Sequence, residues 1–359
     1  MLTTLKAACA LIILIGVSQC KKFQSTGSND PVVLNAQGLG KMKNSEGRFI
    51  VSNLTSGSLS FIDDGTRTVT TTITIANSQP YYSVYLPLKD NLYVTDAGNH
   101  AVQVIDAGTQ TVTGSIPMQN GTIMHITGNE RKSRLWVVNN TEKTVTEINA
   151  NNEKIVYTLQ LPYVPHDVAV NANGTKLYVS LNKGGIWNID TYSTDLEATG
   201  NYKLIDSRAF GSNFLHLFYS AVNDKLYAAD QGLGKFWALN PNNLMASATS
   251  VDMPGAHGLT LSADERYSYV AAVGSNKVYV YDNTSNTIVS QTTSTVSPNI
   301  HNIAVNQTND LLLGTHSGAS STAVSSYSIS DGFLTQGATI NVGTNPQGIT
   351  YYVRRAKHN

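Results

Sequence analysis

Charge and thiols are both scarce in this chain. Asp, Glu, Lys and Arg make up 13% of its 359 residues, 24 of each sign, for a formal net charge of zero. No basic stripe is available to neutralise a phosphate backbone or to grip an acidic membrane surface, which argues against nucleic acid as a partner. Two cysteines, Cys9 and Cys20, are too few for a disulfide framework or a thiolate zinc site. The apolar run Ala7–Val17 is eleven residues long, well short of the roughly 20 that a spanning helix needs. Also missing are a Gly-x-Ser-x-Gly elbow, a phosphate-binding glycine loop and a dinucleotide fingerprint after a strand. Glutamates are few and scattered, and no two read as an acid–base pair. The sequence therefore assigns no enzyme class, and its motifs favour a non-enzyme.

What is present is β-structure, repeated. In residues 92–116, apolar and small polar residues alternate through Leu92–Val94 and Val102–Ile105, the period of a half-buried strand. Ala97-Gly98-Asn99 and Ala107-Gly108 supply turn chemistry, since Gly and Asn accept positive φ at low cost. One such meander cannot bury its own faces. The residue ending its second strand recurs at Asn53, Asp96, Asn139, Leu181, Asp230, Ala272 and His316, in steps of 42 to 49. A second marker, closing the next strand, recurs at Asp63, Asp106, Asn149, Asp190, Asn240, Asp282 and Ser330. A period in the forties built from short strands predicts an all-β fold, a seven-bladed β-propeller of four-stranded antiparallel blades.

The blade motifs Tyr93-Val94-Thr95-Asp96, Val104-Ile105-Asp106, Trp136-Val137-Val138-Asn139, Tyr178-Val179-Ser180, Val280-Tyr281-Asp282 and Pro346-Gln347-Gly348-Ile349-Thr350 carry a resemblance. Over about residues 48–353 the chain resembles the YVTN-repeat family of seven-bladed propellers. The resemblance implies fold much more than function, because such propellers do many jobs. Blade one starts at Arg48-Phe49-Ile50-Val51 without its innermost strand, and a spare copy of that strand stands at Pro346–Tyr351. The C-terminal strand is therefore expected to join blade one and close the ring, removing two exposed strand edges. Blades two to seven are expected at 81–118, 123–161, 165–204, 214–253, 257–295 and 301–342. The long step in blade four places an insertion around Tyr192–Asn213, carrying Asp195, Glu197, Asp206 and Arg208. It reads as a solvated connector or a recognition loop. Asp63, Asp106, Asp190 and Asp282 recur at strand ends, as turn-stabilising side chains would.

Residues 1–20 read as a targeting segment: Lys6, the short apolar run, then Val17-Ser18-Gln19-Cys20. This resembles a bacterial lipoprotein signal, with cleavage before Cys20 and lipid attached to it. An ordinary secretory signal is the alternative. Residues 21–47 read as a flexible tether rich in Ser, Asn, Gly and Lys, and 354–359 as a basic, solvated tail. The expected location is the bacterial cell envelope, lipid-anchored, periplasmic or surface-exposed, with membrane contact through the lipid alone.

Eight histidines are placed unevenly. His166, His257 and His301 occupy one equivalent place at the start of the innermost strand. His125 and His216 match it with a turn one residue shorter, Gln347 takes it in the closing strand, and Tyr81 or Tyr82 in blade two. Innermost strands line a propeller's channel, so these residues should ring one mouth. His316 and, further from the axis, His100 sit on the loops of the same face, and only His358 falls outside the set. Imidazoles there are candidate ligands for copper, zinc or haem iron, with His166, His257 and His301 first. Against this stand the absence of a metal-ligand spacing, the lack of a carboxylate that pairs with a histidine in sequence, and a ring expected to be wider than one ion's coordination sphere. Hydrogen bonding to the neighbouring blade is the competing explanation. Three functions follow: a binding scaffold for an envelope protein or glycan, a metal or redox protein using the channel mouth, or a lactonase-like hydrolase.

Overall fold

A computed structural model describes residues 47–354, apart from 197–199 and 212. The signal segment with Cys20, the tether up to residue 46, the tail from 355 and His358 lie outside the described residues. The described residues form seven four-stranded antiparallel sheets arranged as a ring. The closing strand Pro346–Val353 joins blade one as its innermost strand, with Phe49 opposite Tyr351 and Val51 opposite Ile349. Gly47, assigned by sequence to the tether, opens the first strand, Gly47–Asn53. Arg354, assigned to the solvated tail, forks onto the Asp90 carboxylate of blade two, Nη2 to Oδ2 at 2.7 Å, and so fastens the closing strand to the next blade.

The half-buried reading of the second and third strands needs correction. Leu92–Asp96 and Ala101–Ile105 are buried on both faces, including Thr95 and Gln103. Each sheet is sandwiched between two others, so its polar side as well as its apolar side is covered. The outermost strand is the one that alternates, as in Val69–Thr74. Hydrophobic clusters accordingly straddle blade boundaries: Trp136, Val138 and Val145 of blade three pack with Val168, Leu177 and Val179 of blade four. Their burial, at about 1.5–3 kcal/mol per large side chain, is the main favourable term.

The buried polar residues explain the repeat motif. The hydroxyl at the third motif position accepts an N–H from its own innermost strand and donates to a carbonyl of the next blade's innermost strand. Ser180 Oγ accepts from Asp167 N–H at 3.0 Å and donates to Leu215 O at 2.8 Å. Thr315 Oγ1 does the same between Asn302 N–H (3.2 Å) and Gln347 O (2.7 Å), and Thr95 between Tyr82 and Met124. These hydroxyls zip the innermost strands together. The tyrosines that begin the second strands reach outward to the next blade in the same way, Tyr178 Oη to Pro241 O at 3.1 Å and Tyr269 Oη to Asn309 Oδ1 at 2.6 Å.

Asp63, Asp106 and Asp282 accept backbone N–H groups two or three residues on, the expected turn role. Asp190 departs from it, taking Lys183 Nζ at 2.8 Å and the Ser207 hydroxyl at 2.5 Å. The reason is the insertion. It lengthens the hairpin of blade four, moves the turn past Ser193, and forms an outermost strand, Lys203–Ala209, beyond the expected end at 204. Tyr202 from this segment is buried beside Trp136 and Glu147, accepting from Trp136 Nε1 at 2.9 Å. Asp206 accepts Leu244 N–H and Arg208 donates to Leu244 O, both at 2.7 Å. Tyr202, Asp206 and Arg208 of the insertion thus bind blades three and five, and Glu197 lies outside the described residues.

Candidate functional site

Register slips occur in five innermost strands: between Pro80 and Ser83, Ile123 and Ile126, Pro165 and Asp167, Ala256 and Leu259, and Pro346 and Ile349. The first four contain an aromatic side chain, Tyr82, His125, His166 or His257, and the fifth contains Gln347. An extra residue bends a strand and re-aims what it carries. The hydroxyl zipper holds the bent backbone, because Tyr82 and Asp167 give their N–H to Thr95 and Ser180.

The side chains converge much further than a wide ring would allow. Tyr82 stacks on His125 with ring centroids 3.9 Å apart. His125 stands 4.7 Å from His166 and 5.0 Å from His216, and His166 is 4.8 Å from His216. The belt continues from His216 to His257 at 4.0 Å and from His257 to His301 at 4.5 Å. Five blades thus contribute one imidazole each, with His125, His166, His216 and His257 buried. The expectation that seven-fold geometry holds these groups apart is overturned. An imidazole on an inward-turned strand reaches across the narrow axis, and neighbouring rings fill the space between them.

The expected lack of a carboxylate is overturned as well. Asp167 lies inside the belt, Oδ1 at 3.0 Å from His125 Nδ1 and Oδ2 at 3.6 Å from His216 Nδ1. It also accepts Val168 N–H at 2.7 Å and Leu217 N–H at 2.8 Å. Burial opposes ionisation of Asp167, but the interaction with His125 and the hydrogen bonds to His125 and His216 outweigh it and hold the carboxyl well below the usual range. A carboxylate only accepts, so it selects the Nδ1–H tautomer of His125 and leaves Nε2 as an acceptor. His125 Nε2 is buried with no hydrogen-bond partner. His166 Nε2 and His216 Nε2 are 3.2 Å apart, and the ligating atoms of His125, His166 and His216 lie within 4.8 Å of one another.

The other pair is internally satisfied. Asn302 Nδ2 faces the Gln347 carbonyl at 3.2 Å and His301 Nδ1 at 2.7 Å, so His301 accepts at Nδ1 and carries its proton on Nε2. That proton points to His257 Nε2 at 3.1 Å, and His257 Nδ1–H then donates to Gln231 Oε1 at 2.9 Å. Burial, followed by the neighbouring imidazoles, keeps His166 and His257 well below the ordinary imidazole range and pushes His301 down to about 3. His216 is lowered by burial, with the Asp167 hydrogen bond opposing.

Two sequence candidates sit elsewhere. His316 is fully buried with both nitrogens engaged, by Pro298 O and by Ser325 Oγ at 2.9 Å. The Gln347 side chain donates to Asn345 Oδ1 at 3.0 Å, and only its carbonyl reaches the belt, through Asn302. His100 bonds Gly121 on the outer loops. Sequence reasoning missed Asp167, Gln231 and Asn302. Asp167 had a signal: it is the one acidic residue that directly follows an innermost-strand histidine, where His257 and His301 are followed by Gly258 and Asn302.

No protein-family model matches the chain, and no curated protein matches it. Solved structures do. A candidate 6-phosphogluconolactonase from Bacteroides fragilis superposes with a TM-score of 0.69 at 14% identity, over 87% of this chain and 99% of that one. A protein from Lactobacillus plantarum gives 0.67 at 15%, over 86% and 100%. A chain of Kuenenia stuttgartiensis hydrazine synthase gives 0.63 at 13%, over 80% and 98%. At these identities the likeness shows the fold alone: this chain is a seven-bladed β-propeller.

Proposed function

We propose that this protein is a metal-binding propeller of the YVTN type, holding one copper or zinc ion through His125, His166 and His216. The observation that carries this reading is the buried, unpartnered Nε2 of His125, on a ring whose Nδ1 is held by a carboxylate and which shares one cluster of ligating atoms with His166 and His216. A buried acceptor left without a partner costs about 1–3 kcal/mol, which a bound cation would recover. Asp167 matches the carboxylate–histidine–metal pattern, in which the outer group fixes tautomer and ring orientation. Three neutral imidazoles suit zinc and copper alike. The ring-to-ring spacing within the belt favours a bare ion over a haem, whose plane would have to enter between the imidazoles.

Elemental analysis of protein purified from cells grown with added copper and zinc is expected to return about one ion per chain. In titrations of the EDTA-treated protein, Ala substitutions of His125, His166 or His216 are expected to weaken binding at least about 100-fold, and Asp167→Asn about 10–100-fold. His257→Ala is expected to retain the ion. Substoichiometric metal, or equal losses from His257→Ala and His125→Ala, would refute the assignment.

The N-terminal features support a second element of the reading, a lipid anchor at Cys20 that tethers the propeller in the cell envelope as a binding module. Cys20→Ser is then expected to move the protein from the membrane to the soluble fraction and to end incorporation of radiolabelled palmitate; unchanged partition would reject the anchor. The lactonase alternative has support at the level of fold alone.

A further inference from the structure

We infer that the cleft in front of His166 is a binding site for an uncharged sugar of about disaccharide size. The cleft measures about 400 Å³ and is lined by Asn140, Val164, His166, Asn182, Trp187 and Phe214, among others. This volume lies within the range of small-ligand sites. None of its lining residues is Asp, Glu, Lys or Arg. The nearby cation Lys183 is committed to Asp190 at 2.8 Å. In the metal-free protein an anion or a cation entering here would lose hydration without meeting an opposite charge on the lining residues, which costs several kcal/mol.

The polar groups match a hydroxyl. Asn182 Oδ1 accepts Gly185 N–H at 2.6 Å and Asn213 Oδ1 accepts Phe214 N–H at 2.8 Å, so each offers its NH₂ to a guest. Asn140 directs its Nδ2 to the weakly accepting Met124 sulfur at 3.3 Å and keeps its oxygen for a donor. A wall that both donates and accepts, and carries no charge, is complementary to groups that do both.

The apolar part suits the C–H face of a pyranose ring. Phe214 is 39% exposed although apolar, tilted over His166 at 4.5 Å between centroids and 5.3 Å from Trp187. Its backbone setting is hydrogen-bonded. Gln231 N–H donates to Phe214 O at 3.1 Å, and Trp187 exchanges backbone hydrogen bonds with Gly211 O (2.9 Å) and Phe210 N–H (2.7 Å). An exposed aromatic platform held in place beside unspent amides is what binding without reorganisation requires.

The test uses the full chain in EDTA, so it does not depend on the metal reading. Cellobiose, maltose and N,N′-diacetylchitobiose are titrated by calorimetry and tryptophan fluorescence, with glucose 6-phosphate as the charged comparison. At least one neutral disaccharide is expected to saturate with a Kd on the order of 1 mM or tighter, and glucose 6-phosphate to bind at least about tenfold more weakly. Phe214→Ala and Asn182→Ala, both at partly exposed positions, are each expected to weaken binding at least about tenfold. Absence of saturation by all three disaccharides up to about 50 mM overturns the proposal. So does wild-type affinity in both variants, or preference for the phosphorylated sugar.

Discussion

Deleting residues 346–359 is expected to leave the chain without a stable native state. The lost strand pairs with blade one along Gly47–Asn53 and carries Ile349 and Tyr352, both buried, and Tyr351, which packs on Phe49 at 4.8 Å. It also links blade one to blade two, through Thr350 Oγ1 to Ser83 O at 2.7 Å and Arg354 to Asp90. Burial of three such side chains is worth more than about 5 kcal/mol. That is comparable to the whole stability of an ordinary domain, about 5–15 kcal/mol. The deletion further bares an edge of blade one, an aggregation hazard. Soluble yield and the far-UV circular dichroism melt would show the effect. A synthetic peptide covering 344–356, added during refolding, should restore part of it. A truncated protein that melts within a few degrees of the full chain would mean that the ring does not need its clasp.

The second large effect is acid sensitivity of the metal-free protein. His166, His216, His257 and His301 titrate below their unfolded value near 6.5, chiefly because burial disfavours the imidazolium. The unfolded chain therefore binds more protons than the folded one once pH drops below about 6.5. Stability from these groups is complete above that pH and is lost progressively as pH falls, for His301 down to about 3. Asp167, held well below 3.8, acts in the same direction at still lower pH. Each strongly depressed histidine contributes up to about 1.4 kcal/mol per pH unit below about 6.5, so a loss of several kcal/mol between pH 7 and pH 5 is expected. Urea midpoints in EDTA at pH 7, 6 and 5 measure it. Replacing the His257–His301 pair by Gln should flatten the acid limb. Stability independent of pH over this interval would show that the belt is not held neutral.

The repeat was legible because a propeller is nearly one-dimensional in sequence. Asn53, Asp96, Asn139 and Asp230 each close a second strand, and their spacing counts blades without any knowledge of how the blades touch. The closing strand was legible for a related reason: a copy of the innermost-strand motif at Pro346 with no blade after it had to belong to the blade that lacked one. The blade-four insertion was visible as a long step, but its role was not. Tyr202 reaches Trp136 across 66 positions, and nothing local in either residue announces the partner.

By itself the sequence determined seven blades, their order and the strand that shuts the ring, since these follow from local period and turn chemistry. It also placed five histidines at equivalent starts of innermost strands. Only the tertiary structure decided that they form one packed belt, that Asp167 sits within it, and that His316 and the Gln347 side chain do not. Convergence depends on backbone bulges at His125, His166 and His257 and on how far an imidazole reaches across the axis. Those are properties of strands brought together from different blades, and residues some 40 positions apart carry no record of the distance that will separate them.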